Sequence, residues 1–387
     1  MNEGTTFQTQ AFKTRTIFNK TPASGKENEW VIGLDVGYSA VKGMSANAVF
    51  CFPSYVAKAQ PDASMKAAES TDIRYRDSTG TYVVGDLASY RIADANIMDS
   101  ESDMTGRNWY LSQRFRISMA VGLAMGMDVN SFGSPVNKKL IVQTGLPPKV
   151  RKADTADLKE AMAGEYDFEL KLGRNDWKRY QFTIEEKNIY VTDQPLGALV
   201  SASCDRKGRS VPAAKNYFSS NVLVFDPGFV TLDLYTVVRG EITGSETFEN
   251  LGMHEIFKRT CDDIAEIYGK HMEVAALLPN LETGTIKIKD KKDKMKQSIV
   301  DFKDLLQKNC LGVCEDALEK LKLITNYFEK TDYIIAAGGT YEAWKGYFNS
   351  VFENMEGLKI VPANINEPEL SNIFSNVRGY YYYRLNS

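Results

Sequence analysis

The sequence predicts an α/β protein built from two similar halves, and two observations support this fold class. Short apolar segments typical of buried strands alternate with segments of helical periodicity along most of the 387 residues. The pattern Asp-x-Gly, directly after such an apolar segment, occurs once in each half, which indicates an internal duplication. A chain of this length is expected to form two or three domains.

The first half is expected to begin with a buried strand. Residues 30–34 form a short apolar run, and a tight turn with the first Asp-x-Gly pattern follows it. Helical periodicity over residues 114–127 leads to another apolar run at 139–143. Residues 1–29 are rich in Thr, Lys, Asn and Gln, which predicts an N-terminal extension that is flexible unless a partner orders it.

The second half repeats this opening. Residues 221–225 form an apolar run that ends in the second Asp-x-Gly turn. Between about 255 and 330 the periodicity becomes helical and the chain highly charged, which predicts a helical insertion. Strand character returns at residues 333–337, directly before Gly338-Gly339-Thr340.

Composition and charge exclude several classes of function. Lys and Arg total 47 against 50 Asp and Glu, and a formal net charge of -3 offers no overall positive charge to nucleic acid, so no direct DNA contact is expected. The longest apolar runs are too short to span a membrane. Five cysteines without a Cys-x-x-Cys pair predict a reducing, cytoplasmic location, and two histidines are too few for a His-rich zinc site.

The two Asp-x-Gly turns can form a phosphate-binding site. The sequence lacks the Walker phosphate loop and any Gly-x-Gly pattern, so a nucleotide site needs another architecture. Glycine lets the turn backbone approach a polyphosphate, and turn N–H groups, the hydroxyls of Ser39 and Thr231 and the Lys42 ammonium can bind it. Asp35 and Asp226 would bind the waters of a Mg²⁺ ion that bridges phosphate oxygens. An ordinary turn without a ligand is the alternative for each motif taken alone.

Three motifs in this order resemble those of the superfamily that joins actin, the heat-shock chaperone ATPases and the sugar kinases. Residues 35–42 (DVGYSAVK) are similar to its first phosphate loop, residues 226–233 (DPGFVTLD) to its second, and residues 336–340 (AAGGT) to its adenosine motif. Four further segments resemble the plasmid-segregating and archaeal actin-like proteins of the ParM (StbA) type: 52–54, 84–85, 144–147 and 374–380.

The resemblance implies an actin-like fold, in which two RNase H-like domains enclose a nucleotide cleft. Domain I would comprise residues 30–194, to which the C-terminal segment 371–387 returns. Domain II would comprise residues 195–370 and include the helical insertion at about 255–330.

The resemblance also assigns roles to individual residues. Gln194 would orient the attacking water because a neutral amide both donates to and accepts from water; the alternative is an ordinary first residue of a helix. Asp35 and Asp226 would complete the catalytic set by holding Mg²⁺ through water. The nucleotide-binding residues would be Gly37, Tyr38, Ser39, Lys42, Gly228, Phe229, Val230, Thr231, Gly252, Gly338, Gly339 and Thr340.

The function that the resemblance implies is that of a filament-forming bacterial actin. It would bind Mg-ATP, with GTP as an alternative, and hydrolyse it to ADP and phosphate, so that hydrolysis controls the lifetime of the polymer. Its task would be plasmid DNA segregation through an adaptor DNA-binding protein, without a membrane. The alternatives are a non-polymerising ATPase and a small-molecule kinase of the same superfamily, for which the sequence offers no identifiable general base.

Overall fold

The computed structural model describes residues 8–59, 68–89, 107–289 and 296–387. Its strands are, in chain order, β1 (Ile17–Lys20), β2 (Glu29–Val36), β3 (Ala40–Met44), β4 (Ala48–Pro53), β5 (Val56–Lys58), β6 (Ile73–Asp77), β7 (Gly80–Val84), β8 (Lys139–Leu146), β9 (Gly164–Leu172), β10 (Lys178–Ile184), β11 (Ile189–Asp193), β12 (Asn221–Pro227), β13 (Thr231–Val238), β14 (Glu241–Glu249), β15 (Thr285–Lys289), β16 (Gln297–Asp301), β17 (Tyr333–Ala336) and β18 (Lys359–Pro362).

The helices connect these strands and cover the sheets. The α-helices are α1 (Gln113–Gly126), α2 (Pro148–Met162), α3 (Gln194–Ser203), α4 (Ala214–Ser219), α5 (Met253–Tyr268), α6 (Val274–Leu277), α7 (Lys303–Ile324), α8 (Gly338–Phe352) and α9 (Ser375–Leu385). Short 3₁₀ turns cover Thr9–Phe12, Arg107–Leu111, Glu186–Asn188, Leu278–Glu282 and Asn372–Phe374. Among the described helices, none has the length and apolar character needed to cross a membrane.

The first half is built on a six-stranded sheet of order β1-β4-β3-β2-β8-β11. Strand β2 pairs antiparallel with β3 and parallel with β8, which in turn pairs parallel with β11. Alternate residues of β2 point to opposite faces. Ile32 and Leu34 pack into the core that contains α1, while Val31 packs into the core that contains α9. The sheet is therefore covered by helices on both faces.

The second half repeats this topology in a five-stranded sheet of order β14-β13-β12-β17-β18. Strand β12 pairs antiparallel with β13 and parallel with β17, as β2 does with β3 and β8. Leu223 and Phe225 pack with α8, and Val222 and Val224 pack with α3 on the other face. The internal duplication indicated by the sequence is therefore present in the topology.

Each half also carries a smaller unit. In the first half, five strands form a second sheet of order β10-β9-β6-β7-β5. In the second half, helices α5 and α7 pack against each other beside the two-stranded hairpin β15–β16. Met253 and Phe257 of α5 line the same cavity as the Asp-x-Gly turns.

The prediction of a helical insertion at about 255–330 is wrong in one part. Helices α5 and α7 lie in this region, but strand β15 pairs antiparallel with β16 between them. Ile286 is buried and Lys287 is exposed, which is the alternation of a half-buried strand. The many lysines make this short alternation hard to recognise, because a run of charged residues usually indicates a solvent-exposed loop. Residues 290–295 lie outside the described residues.

The prediction of a flexible extension over residues 1–29 is wrong for its described part, residues 8–29. Strand β1 pairs antiparallel with β4 and forms the edge of the first sheet. Phe12 is buried in the main core of the second half. A four-residue strand has too little local pattern to be recognised, and its partners come from distant parts of the chain. Residues 1–7 lie outside the described residues.

Candidate active site

A cleft of about 640 Å³ lies between the two halves. The first sheet contributes hairpin β2–β3 to its wall, and the second sheet contributes hairpin β12–β13 and the start of α8. A volume of this size is within the range of small-molecule sites. The predicted site residues on the wall are Asp35, Gly37, Tyr38, Ser39, Lys42, Gln194, Asp226, Gly228, Phe229, Val230, Thr231, Gly338, Gly339 and Thr340.

The two Asp-x-Gly turns have the same geometry. In the first, the Gly37 N–H donates to the Ala40 carbonyl at 3.0 Å, and in the second the Gly228 N–H donates to the Thr231 carbonyl at 2.7 Å. The residue opposite the aspartate in each hairpin is equivalent by register: Lys42 faces Asp35, and Asp233 faces Asp226. The same turn is thus presented to the cleft from both sides.

Glycine is required where other backbone approaches the second turn. Gly338 has a φ of +83°, in the region that favours glycine, and a Cβ there would come within 2.8 Å of the Pro227 carbonyl oxygen. The predicted residue Gly252 is not on the cavity wall: a Cβ on it would lie 2.5 Å from the Phe229 carbonyl oxygen. Its place is behind the turn, where it lets the start of α5 approach closely.

The predicted residue Thr340 also supports the second turn. Its hydroxyl donates to the Gly228 carbonyl at 2.7 Å, which ties the first turn of α8 to the phosphate-loop candidate. From behind the same turn, the backbone N–H of His254 donates to the Phe229 carbonyl at 2.8 Å. The turn is therefore fixed from two directions while its cleft side stays open.

Buried carboxylates dominate the electrostatics of the cleft. Burial raises the pKa of Asp35 above its usual value, opposed by the Lys42 ammonium, whose Nζ lies 3.7 Å from Oδ2. Burial raises the pKa of Asp226 to about 6; the hydrogen bond from Asn376 and the charge of Lys42 oppose this rise, and the charge of Asp35 adds to it. Burial likewise raises the pKa of Asp233 to about 7. Among the described residues, Lys42 is the cation whose charge lowers the pKa of Asp35 and Asp226, and the three carboxyls outnumber it, which favours binding of a cation.

These residues fit a hydrated Mg²⁺ ion. Mg²⁺ keeps several waters and is usually bound through one or two carboxylates together with substrate phosphates. Asp35 and Asp226 lie close enough for the charge of one to raise the pKa of the other. Within the described residues, no group of three or more His, Cys, Asp or Glu side chains is placed to hold a metal by itself. The carboxylate pair would therefore act with water and phosphate as further ligands.

Gln194 lies at the edge of the cleft as the first residue of α3. It is half-buried and lines the cavity, so its amide is accessible to a molecule bound there. The preceding residue, Asp193, forms an ion pair with Arg151 of α2. This pair fixes the start of α3, and with it the position from which the Gln194 amide extends.

Two residues of the site were not singled out from the sequence. Asp233 could have been found by spacing, because it follows Asp226 by the same interval at which Lys42 follows Asp35. Asn376 lies in the C-terminal motif at 374–380 and donates from Nδ2 to Oδ2 of Asp226 at 2.7 Å. No local sequence pattern reveals that contact, since the two residues are 150 positions apart in the chain.

Comparison with known proteins supports the predicted actin-like fold. Residues 33–197 match the family model described as the N-terminal domain of actin-like proteins. The structure of a 15-stranded ParM filament from Clostridium botulinum is 18% identical, with 93% of this chain and 100% of that chain covered and a TM-score of 0.67. A non-polymerisable quadruple mutant of pCBH ParM is 19% identical, with the same coverage and TM-score. No match is found among curated protein sequences.

An archaeal actin homologue in complex with ADP shares the fold as well. It is 17% identical, with 92% of this chain and 100% of that chain covered and a TM-score of 0.58. The duplicated sheets and the cleft between them thus have the actin-like fold, as predicted. The predicted resemblance to ParM-type actin-like proteins is confirmed as a similarity of fold.

Proposed function

We propose that the chain is an ATPase that assembles into filaments and uses ATP turnover to drive plasmid DNA segregation through an adaptor DNA-binding protein. The observation that carries the proposal is the pair of equivalent Asp-x-Gly turns facing one cleft from two sheets. The C. botulinum ParM filament and the archaeal ADP complex, both of the same fold, support self-assembly and nucleotide binding.

The residues of the cleft have distinct roles in this proposal. The backbone of the turns at Gly37 and Gly228 would approach the phosphates, with Lys42 contributing a positive charge. Asp35 and Asp226 would hold Mg²⁺ through water; when bound, the ion neutralises phosphate charge. Gln194 would orient the attacking water through its amide. Phe229, Val230, Thr231 and the glycines of α8 would enclose the rest of the nucleotide.

Binding from both halves links the nucleotide to the shape of the molecule. Because the two turns belong to different sheets, a bound nucleotide would favour one relative orientation of the halves. A filament that fits this orientation would form with ATP and become unstable after hydrolysis. The net charge of -3 fits a polymer that binds an adaptor rather than DNA itself, with both proteins in the cytoplasm.

Light scattering of the purified protein after addition of Mg-ATP tests the proposal. Phosphate release is followed in the same sample, with Mg-ADP as the control and Mg-GTP as the alternative nucleotide. We expect scattering to rise with ATP and to fall as phosphate appears. Steady phosphate release without scattering would contradict filament formation and favour a non-polymerising ATPase. ADP formation that depends on an added sugar would favour a kinase.

The Asp226→Asn variant tests the site itself. It keeps the size of the side chain and an oxygen to accept the Asn376 hydrogen bond, but it removes the charge needed to hold Mg²⁺. We expect phosphate release to fall at least a hundredfold, roughly the scale of losing one charge-stabilising group in a catalytic site, with an unfolding midpoint no lower than that of the wild type. Phosphate release at the wild-type rate would remove Asp226 from the site.

A further inference from the structure

The C-terminal motif at residues 374–380 lies directly against the proposed catalytic groups. Helix α9 packs on the first sheet, but its first turn reaches the second half of the molecule. There Asn376 lines the cleft and donates its hydrogen bond to Asp226. An amide on a helix that packs against the first sheet therefore holds a carboxylate of the second sheet.

The remaining residues of the motif fix helix α9 in place. Arg378 is fully buried, and its guanidinium donates to Glu367 Oε2 at 2.8 Å and to the Cys204 carbonyl at 2.8 Å. A Cβ on Gly379 would overlap the carbonyl oxygen of Gly197, so the two helices touch through their backbones. Rotation or sliding of α9 would break these contacts, and the direction of the Asn376 side chain is fixed as a result.

The contact between Gly379 and Gly197 also connects α9 to Gln194, another proposed catalytic residue. Gly197 belongs to α3, which begins at Gln194. The ring of Tyr380 also packs where a Cβ on Gly197 would lie, 2.7 Å from a ring carbon. Helix α9 thus fixes both Asp226, through a hydrogen bond, and the start of α3, through close packing.

Two buried oxygens of α9 have no hydrogen-bond partner among the described residues: Oδ1 of Asn376 and the hydroxyl of Tyr380. They lie one helical turn apart and so share a face of the helix. The Tyr380 hydroxyl packs directly against Gly145, where a Cβ would lie, and Gly145 lines the cleft. The pKa of Tyr380 is raised well above its usual value by burial and then by the charges of Asp35, Asp226 and Asp233. Buried polar atoms of this kind usually bind water or a ligand.

We propose that Asn376 is a positioning residue that holds the Asp226 carboxylate toward the cleft, and that the Tyr380 hydroxyl is a second hydrogen-bonding group for the hydrated divalent cation. The inference rests on the proposed function, because it assumes a Mg²⁺–nucleotide complex in the cleft. Groups that orient the ligands of a metal typically change metal affinity about 10- to 100-fold when they are removed. Helix α9 would thereby make cation binding depend on the arrangement of both halves.

The test is the Mg²⁺ dependence of nucleotide binding, followed with a fluorescent ATP analogue in EDTA and in a Mg²⁺ titration. For Asn376→Ala we expect unchanged affinity in EDTA and about a tenfold rise in the Mg²⁺ concentration that gives half of the tightening. Asn366→Ala is the matched control, because its amide also ties down α3, donating to the Ala202 carbonyl at 2.7 Å. The control should keep the wild-type Mg²⁺ response.

Tyr380→Phe is the second variant, since it removes only an oxygen that has no partner among the described residues, and it should fold normally. We expect a shift in the same direction as for Asn376→Ala, with an unchanged unfolding midpoint. If the wild type shows Mg²⁺-dependent binding and both folded variants reproduce it, the inference is overturned and the proposed function stands. If the wild type itself shows no Mg²⁺-dependent binding, the proposed function fails first.

Discussion

Lys42 and Asp233 occupy equivalent positions in the two halves and carry opposite charges. Lys42 lies opposite Asp35 and partly compensates its charge, whereas Asp233 lies opposite Asp226 and adds a second buried carboxyl. Asp233 accepts hydrogen bonds from Thr247 at 2.7 Å and Thr231 at 3.0 Å, but the residue opposite it in the hairpin is a second carboxyl and not an ammonium. The duplicated turns are therefore electrostatically unequal.

The pH dependence of the free energy of unfolding should reveal the cost of burying the Asp233 carboxylate. Its pKa is raised from 3.8 to about 7, so the folded state holds the proton more tightly, and the free energy of unfolding falls as the pH rises between these values. Asp233→Asn removes this penalty. With about 1.4 kcal/mol for each tenfold change in proton affinity, we expect a stabilisation of about 2–4 kcal/mol near pH 8 and almost none near pH 4.

Urea unfolding in EDTA, without nucleotide, measures this difference for wild type and variant. Asp167→Asn is the control with the opposite sign, because the hydrogen bond from Arg179 lowers the pKa of Asp167. A variant of Asp233 that is no more stable than wild type near pH 8 would show that the carboxyl carries no burial penalty.

Substitution of Gln194 distinguishes a catalytic role from a purely structural role as the first residue of α3. Gln194→Ala should retain nucleotide binding and slow phosphate release about a hundredfold, because only the group that orients the water is lost. Filaments of this variant should persist after wild-type filaments have disassembled. Gln181→Ala, at an exposed position of β10, is the control in the same scattering and phosphate assays. Normal turnover in Gln194→Ala would leave this residue as the start of a helix and no more.

At the scale of elements, the crossing of α3 and α9 joins the two halves. Both helices contribute a glycine at the crossing, and the Gly379 and Gly197 backbones are in direct contact. Helix α3 packs on the second sheet through Ala198, Leu199 and Ala202, while α9 packs on the first. The crossing is thus the structural joint between the halves, and its close approach requires residues without side chains.

Substitution of one glycine should separate the helices. Gly379→Ala places a methyl group on the Gly197 carbonyl oxygen, so we expect a loss of stability of about 3 kcal/mol. Gly346→Ala in α8 is the matched control, because no atom of the described part of the chain lies within 4 Å of a Cβ at that site. There, the better helix former should add about 0.5–1 kcal/mol. Equal unfolding midpoints for the two variants would contradict the contact.

At the scale of the whole molecule, the N-terminal segment connects both halves across the cleft. In the second half, the Thr9 hydroxyl donates to the Leu281 carbonyl at 2.7 Å, and Lys13 and Arg15 pair with Glu282. A few residues later, the Thr16 N–H donates to Asp86 of the first half at 2.8 Å. Residues 10–15 also line the cleft. The segment is therefore a wall of the site as well as a link.

Glu282→Gln should loosen this segment. The two ion pairs are partly exposed and are worth about 0.5 kcal/mol each, so their loss should raise the open population about fivefold. Limited digestion with trypsin, which cleaves after Lys13 and Arg15, measures the change. Asp167→Asn, which breaks an exposed arginine pair elsewhere, should leave cleavage at these two sites unchanged. An equal cleavage rate in Glu282→Gln would show that the ion pairs do not hold the segment.

The fold and most of the site were accessible from the sequence because they rest on local rules. A buried strand, an aspartate and a glycine turn are encoded within about eight consecutive residues, and their repetition at 35–42 and 226–233 predicted two related halves. The cleft between them was implied by the family resemblance. Asp233 was not singled out, although it is the last residue of the second repeated segment. The hairpin at 285–301 was missed because its alternation is short and its lysines suggest a solvated segment.

The sequence by itself determined the duplicated turns and the glycines within them, since each depends on neighbours along the chain. Only the tertiary structure decided that residues 8–20 belong to the fold, that Asn376 binds Asp226 and that burial raises the pKa of Asp233. These features arise between residues far apart in sequence. Neither the local propensity of a segment nor the charge of one side chain specifies which distant group will cover it.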